Sequence, residues 1–294
     1  MSTSIISNYL GAFFINNLLR GEPYGYQSNP NFYLALYTNS TGAGDSNSGT
    51  EVSAAGYSRQ TFSRVTGFDY ANFQLSNNET ISFSQATVNW GTIYGWGIHD
   101  AQLSGNLLFW GLFTAPVAIG VGQQLKIPAG SLIFKFNNAY HTTPSGGWTT
   151  FSSKAFLDWI TGADEFSYTV DGAYLALGKD IVIDNTTDKR FSSWTEVSSL
   201  GTGYSRIFLP ETTWGAQWLT EGSLYAYNLN EIVFTNNATA SWGTITDIVL
   251  YDSITNTNPI YWGHLSTPAT VNMNDGFRIG TRTYDAPGIE IWFR

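Results

Sequence analysis

The chain has no cysteine. That excludes a disulfide framework, a thiolate metal site and a cysteine nucleophile. Charge is scarce as well: Asp, Glu, Lys and Arg make up 12% of the 294 residues, about half of the ~25% usual in soluble domains. The 22 acidic residues outnumber the 13 basic ones, for a net charge of −9. A nucleic-acid or anionic-membrane partner needs clustered Lys and Arg, so neither is expected. No apolar run is long enough for a membrane-spanning helix. The three histidines, His99, His141 and His264, do not stand at metal-ligand spacing from one another. G-x-S-x-G, H-E-x-x-H, a Walker loop and a dinucleotide fingerprint are all missing. The sequence therefore predicts no enzyme, no metal and no cofactor.

What is abundant points to strands. Apolar residues reach 43% and aromatic residues 16%, with 30 glycines and many Asn, Ser and Thr. Aromatic and β-branched residues favour a pleated surface, and Gly, Asn and Ser favour turns. This balance reads as all-β.

Two segments are nearly the same. ATVNWGTIYGWGIHD at 86–100 corresponds to ATASWGTITDIVLYD at 238–252. The flanks agree. TEVSAAGYSR at 50–59 corresponds to TEVSSLGTGYSR at 195–206, and FYLAL at 32–36 to AYLAL at 173–177. SNNETISFSQAT at 76–87 faces NLNEIVFTNNAT at 228–239, and Trp110 corresponds to Trp262. The offset grows from 141 at Tyr33/Tyr174, through 145 at Glu51/Glu196, to 152 at Trp90/Trp242. Fixed blocks with small insertions between them are elements joined by loops. A unit this long is a whole domain rather than a solenoid repeat. The chain is thus expected to be a tandem duplication: copy one at 1–139, a linker at 140–147 containing Pro144, Gly146 and Gly147, and copy two at 148–294.

Each copy opens on a helix-like pattern. In SIISNYLGAFFINNLLRG, Ile6, Tyr9, Leu10, Phe13 and Phe14 recur at three and four, with Ser4 as candidate cap and Gly21 as stop. In FSSKAFLDWITG, Phe156, Trp159 and Ile160 do the same, with Ser152 or Ser153 as cap and Gly162 as stop. The first pattern lacks a basic n-region and has a mid-chain twin, so it is not read as a signal peptide. Short strands separated by turn clusters follow each helix. Together they predict two tandem antiparallel β-sandwich domains, jelly-roll-like, each preceded by a short α-helix.

The repeated residues divide by chemistry. Trp90 and Trp242, each before Gly-Thr-Ile, are expected in the core, with the glycine allowing close approach or a bulge. Trp110 and Trp262 are expected there too. Glu51 with Arg59, and Glu196 with Arg206, are placed to form bidentate ion pairs across a hairpin. Asp100 and Asp252 fall where a strand ends and are expected to make turns. The loop GDSNSGTE at 44–51 is read as a polar turn rather than a calcium loop. Asp164 and Glu165 are adjacent and would point to opposite sides of a strand. ETTWGAQW at 211–218 has no visible counterpart in copy one, so Trp214 and Trp218 are the candidates for a ligand or subunit contact.

The order of these motifs resembles a family of small tailed-bacteriophage virion proteins, described as tail-fibre-like, decoration or structural. Copy one carries the resemblance best, in YLALYT at 33–38, EVSAAGYSRQ at 51–60, ATVNWGTI at 86–93 and GNLLFWG at 105–111. Copy two departs from it, with Ile207 where copy one has Gln60. The resemblance implies a role in a virion; with low charge and many aromatics, which suit extensive protein contacts, the chain is expected to be a non-enzymatic virion protein that associates with capsid or tail subunits as a homo-oligomer. The eleven tryptophans leave a glycan-binding or receptor-binding tail protein as the alternative.

Overall fold

The computed structural model describes residues 5–7, 9–12, 29–44, 46–71, 74–135, 141–142, 145–161, 172–183, 191–218, 224–235, 237–255, 258–282 and 288–293. Ser4, the stops at Gly21 and Gly162, and the Asp164–Glu165 pair lie outside these residues. The chain forms two compact units.

Copy one contains β1 (Ile5–Ile6), β2 (Asn31–Tyr37), β3 (Gln60–Ser63), β4 (Phe68–Ala71), β5 (Gln74–Asn77), β6 (Ile81–Ser82), β7 (Gly91–His99), β8 (Leu107–Ile119), β9 (Lys126–Ile127) and β10 (Ile133–Lys135). They make a large sheet ordered β1-β8-β7-β2-β3, a small sheet ordered β10-β5-β4, and the pair β6-β9. Every pairing is antiparallel.

Copy two contains β11 (His141–Thr142), β12 (Ser145–Trp148), helix α1 (Thr150–Thr161), β13 (Gly172–Ile183), β14 (Phe191–Glu196) and β15 (Ile207–Pro210). It continues with β16 (Trp214–Trp218), β17 (Leu224–Asn228), β18 (Ile232–Thr235), β19 (Gly243–Tyr251), β20 (Pro259–Val271), β21 (Phe277–Ile279) and β22 (Glu290–Phe293). Its sheets run β11-β12-β20-β19-β13-β14 with β15 also on β13, then β16-β17-β22, then β18-β21. Strand for strand this is copy one again, with β11 and β14 added.

The segment expected as a linker carries β11 and the start of β12. Gly146 and Gly147 pair with Gly263 and Trp262 on β20, as Ile5 pairs with Trp110 on β8 in copy one. A Gly- and Ser-rich edge strand is held by its partner's backbone, so its own composition does not announce it. The caps also differ from expectation. Ser7 Oγ accepts from the Leu10 amide at 3.2 Å. Thr149 Oγ1 accepts from the Ser152 amide at 3.2 Å, and Ser152 Oγ accepts from the Thr149 amide at 3.0 Å. Ser7 and Thr149 are therefore the capping residues, the second in a reciprocal capping box. Both also donate to the neighbouring long strand, at Leu107 O and Pro259 O.

The core of copy one lies between its two sheets. Trp96 and Phe109 of the large sheet meet Phe134 of the small one, with ring centroids 5.8 and 4.8 Å apart. Phe68 closes the cluster against Phe32, Phe62 and Phe134. Alternation then sends Ala35, Tyr37 and Leu107 to the opposite face, where the 38–50 loop covers them with Ala43. Copy two covers the same face differently. Its Ala176, Val249, Tyr251 and Trp262 are packed by Ile181, Ile183, Phe191 and Trp194 from the β13–β14 hairpin.

Structure also corrects the alignment at 76–87. Asn77 corresponds to Asn228 and Phe83 to Phe234, an offset of 151, because each Asn ties the same three backbone groups and each Phe stacks on the same tyrosine. The register of β18 against β21 shifts between Val233 and Thr235. That bulge absorbs one residue and restores the offset of 152 by Trp90/Trp242.

Candidate functional site

Glu51, Tyr57 and Arg59 form one bonded set. Arg59 donates from Nε to Glu51 Oε1 at 2.9 Å and from Nη2 to Oε2 at 2.7 Å. Its Nη1 reaches the carbonyls of Ala101 and Ser104 at 2.8 and 2.7 Å. Tyr57 donates to Glu51 Oε1 at 3.0 Å and accepts from the Leu36 amide at 2.9 Å. Copy two repeats the set: Arg206 binds Glu196 at 2.9 and 2.8 Å, and Tyr204 joins Glu196 Oε1 to the Leu177 amide. Burial and the Glu51 charge push the Tyr57 hydroxyl well above its usual range, and burial and Glu196 do the same to Tyr204. Burial opposes the Arg59 charge, but the bonds and charge of Glu51 outweigh it and hold the guanidinium protonated. A fork of this kind orients a loop and a strand edge. It leaves neither a free base nor an open nucleophile.

The predicted ion pairs are thus brought together, each with a tyrosine that sequence spacing did not single out. Trp90 and Trp242 are 4% and 9% exposed and meet Tyr57 and Tyr204 edge-on at 5.5 and 5.4 Å. Trp242 Nε1 donates to Thr202 O at 2.9 Å. The glycines after them serve conformation rather than close approach. Gly91 and Gly243 have φ of 85° and 74°, and a Cβ at either would meet nothing within 4 Å. Trp110 is half-buried and Trp262 buried, on the face that the 38–50 loop and the β13–β14 hairpin cover. Asp100 takes the Asn106 amide and side chain at 2.6 and 2.8 Å, and Asp252 takes Asn258 at 3.1 Å, so both make the expected turn.

Trp214 is not a surface residue. It is 2% exposed. Trp214 pairs with Asn228 on β16–β17 as Phe68 pairs with Asn77 on β4–β5. ETTWGAQW therefore has a counterpart, GFDYA at 67–71, and Trp214 stands where Phe68 packs the core. Trp218 ends β16 opposite Leu224, and its side chain lies outside the described residues.

Beneath the Glu–Arg set the copies differ. In copy one, Tyr37 Oη lies 2.8 Å from His99 Nε2. In copy two, Gly178 and Tyr251 occupy those positions, and Trp194 Nε1 donates to Tyr251 Oη at 2.9 Å. Arg206 lies 3.6 Å over the Tyr251 ring. Burial, with the Arg59 charge, lowers His99 to about 4. His99 is neutral when folded, while the unfolded chain takes up a proton near 6.5. Its contribution is therefore complete above pH 6.5 and is lost as pH falls toward 4, to a total of roughly 3 kcal/mol. An acid titration followed by urea unfolding should show this loss in the parent. It should be smaller in His99→Phe, whose stability at pH 7 is lower but flatter; parallel curves would refute the assignment.

Asp247 and His264, which replace Gly95 and Leu112, are bonded to each other. Among the described residues, no three His, Asp or Glu side chains converge on a point, and no helix is long and apolar enough to cross a membrane.

The surface carries one further difference. A polar cleft of about 240 Å³ in copy one is bounded by residues 60–63, 66–67 and 77–82. By strand register, Gln60, Thr61 and Ser63 correspond to Ile207, Phe208 and Pro210. Asn78 and Ser82 correspond to Leu229 and Val233. Five positions of the cleft wall are thus apolar in copy two, while Asn77, Glu79 and Thr80 correspond to the polar Asn228, Asn230 and Glu231.

Comparison with known proteins follows the duplication. No curated protein matches the chain. One family model matches twice, at residues 5–135 and again at 147–286, and its family is described as podophage GP4 fiber I protein gp80. With both copies of the fold matched almost end to end, the chain belongs to the podophage GP4 fiber I protein gp80 family and is a bacteriophage virion component.

Proposed function

We propose that the chain is a non-enzymatic fibre subunit, in the tail rather than decorating the capsid, that self-associates and contacts other virion proteins through its surface. The observation that carries this reading is a set of exposed apolar residues that copy two has and copy one lacks, on a framework the two copies share. The Glu–Tyr–Arg set, the Trp-Gly strand entry and the strand-end Asp turn are kept in both copies, and bonds within the same unit use them. Three exposed positions by the cleft of copy one are not kept. Phe208, Leu229 and Val233 are 43%, 44% and 37% exposed, where copy one has Thr61, Asn78 and Ser82. Neighbouring exposed apolar side chains favour cover by another protein surface. We assign that cover to a second copy of the chain, with the duplicated fold acting as a stiff support.

The test replaces these three with the residues of copy one, as Phe208→Thr, Leu229→Asn and Val233→Ser together. Light scattering on the eluting protein should find an oligomer for the parent and a smaller species for the triple variant, with melting temperatures unchanged. A monomeric parent across micromolar concentrations would end the self-association reading. An oligomer insensitive to the triple change would move the contact elsewhere.

A further inference from the structure

We infer that the cleft of copy one is a binding site for a neutral saccharide unit. It goes beyond the assembly reading and does not depend on it. The lining offers Gln60, Thr61, Asn78, Glu79, Thr80 and Ser82 around a half-buried Phe62. Glu79, Thr80 and Ser82 have no side-chain bond among the described residues and are exposed. Asn78 is oriented, because its Nδ2 donates to Thr66 O at 2.7 Å, which leaves Oδ1 turned away as an acceptor. Thr61 is held by Gln102 at 3.1 Å.

Copy two supplies an internal control. At five of these positions copy two carries Ile207, Phe208, Pro210, Leu229 and Val233, so the fold does not require polar groups there; Glu79 and Thr80 stay polar as Asn230 and Glu231, but Arg278 holds Glu231 at 3.3 Å. In copy one Gln60, Thr61, Ser63 and Asn78 bond within the fold, whereas Glu79, Thr80 and Ser82 make no side-chain bond among the described residues and face the cleft. The chemistry of the lining narrows the ligand. No Lys or Arg lines the cleft, and the chain is acidic, so phosphates and acidic sugars are disfavoured. A carboxylate that only accepts, hydroxyls that both donate and accept, and a fixed amide oxygen match the mixed donors of a polyol. Phe62 adds the apolar patch against which a sugar ring can lie. The volume lies below the ~300–1,000 Å³ usual for ligand sites, which suits one sugar ring, free or within a longer chain.

The experiment uses the full chain, isotope-labelled, titrated to millimolar concentration with methyl glycosides of glucose, galactose, rhamnose and N-acetylglucosamine. At least one should shift the amides of 60–63 and 78–82 and leave 207–210 and 229–233 unmoved. Thr61→Phe with Ser82→Val introduces the residues that copy two already holds. It should fold with an unchanged spectrum elsewhere and bind at least about tenfold more weakly, as expected for one lost hydrogen bond and a narrowed entrance. Glu79→Gln keeps the shape, removes the charge and should weaken binding about tenfold. The inference is overturned if none of the glycosides shifts these amides, if copy two responds equally, or if neither variant changes the affinity. Such a failure would leave the light-scattering result on self-association untouched.

Discussion

Arg59→Ala is expected to destabilise copy one by about 3 kcal/mol, the low end of the range for removing one partner of a buried ion pair, because the Glu51 side chain is 27% exposed. The Arg59 side chain is 8% exposed, so water cannot replace it without opening the site. Its loss strands three groups at once: the Glu51 carboxylate, held on both oxygens, and the Ala101 and Ser104 carbonyls of the turn after β7. Tyr57 would keep its bond to Glu51, but beside a carboxylate with no cation. Arg59→Lys should recover little, because one ammonium cannot span a carboxylate and two carbonyls in the planar geometry of a guanidinium. Glu51→Leu combined with Arg59→Met should recover part of the loss by removing the buried charges together. It should not recover all of it, since the turn carbonyls remain unbonded. Urea unfolding of the three variants gives the order. Equal stability of Arg59→Ala and the parent would mean that the pair is ornamental to folding.

How much of this was legible in the sequence depended on where the defining interaction sits. The duplication, the strand blocks and both Glu–Arg pairs were legible, because each rests on identities that recur at short spacing in both copies. The tyrosines of the same set were visible within G-Y-S-R, yet their hydroxyl bonds run to Leu36 and Leu177 on another strand, which no local pattern reports. Asn77 and Asn228 look like ordinary turn residues. They matter because the chain returns 55 and 61 residues later to bring Leu132 and Ile289 onto their side-chain oxygens. The β18 bulge displaced the alignment by one residue, enough to hide that correspondence. The polar cleft was illegible for a related reason: its two walls come from 60–67 and 77–82, and only the strand register brings them together.

Trp214 shows how divergence between copies misleads a sequence comparison, and it yields the second large effect. Trp214→Ala should cost about 3–5 kcal/mol, as expected when a buried Trp leaves a cavity in a packed core. Trp214→Phe should cost much less, for two reasons. Copy one already uses Phe68 at the equivalent register position, so this backbone accommodates a phenyl ring there. The indole Nε1 of Trp214 is buried with no hydrogen-bond partner among the described residues, and a buried donor without an acceptor costs about 1–3 kcal/mol. Removing that donor offsets part of the packing lost with the smaller ring. Thermal or urea unfolding of the two variants, with light scattering on the protein that remains folded, separates core from contact. A core residue lowers stability in the order Ala, Phe, Trp and leaves the oligomer of the folded fraction unchanged. If Trp214→Ala instead kept the parent's stability and lost the oligomer, Trp214 would be a contact residue and the equivalence with Phe68 would fall.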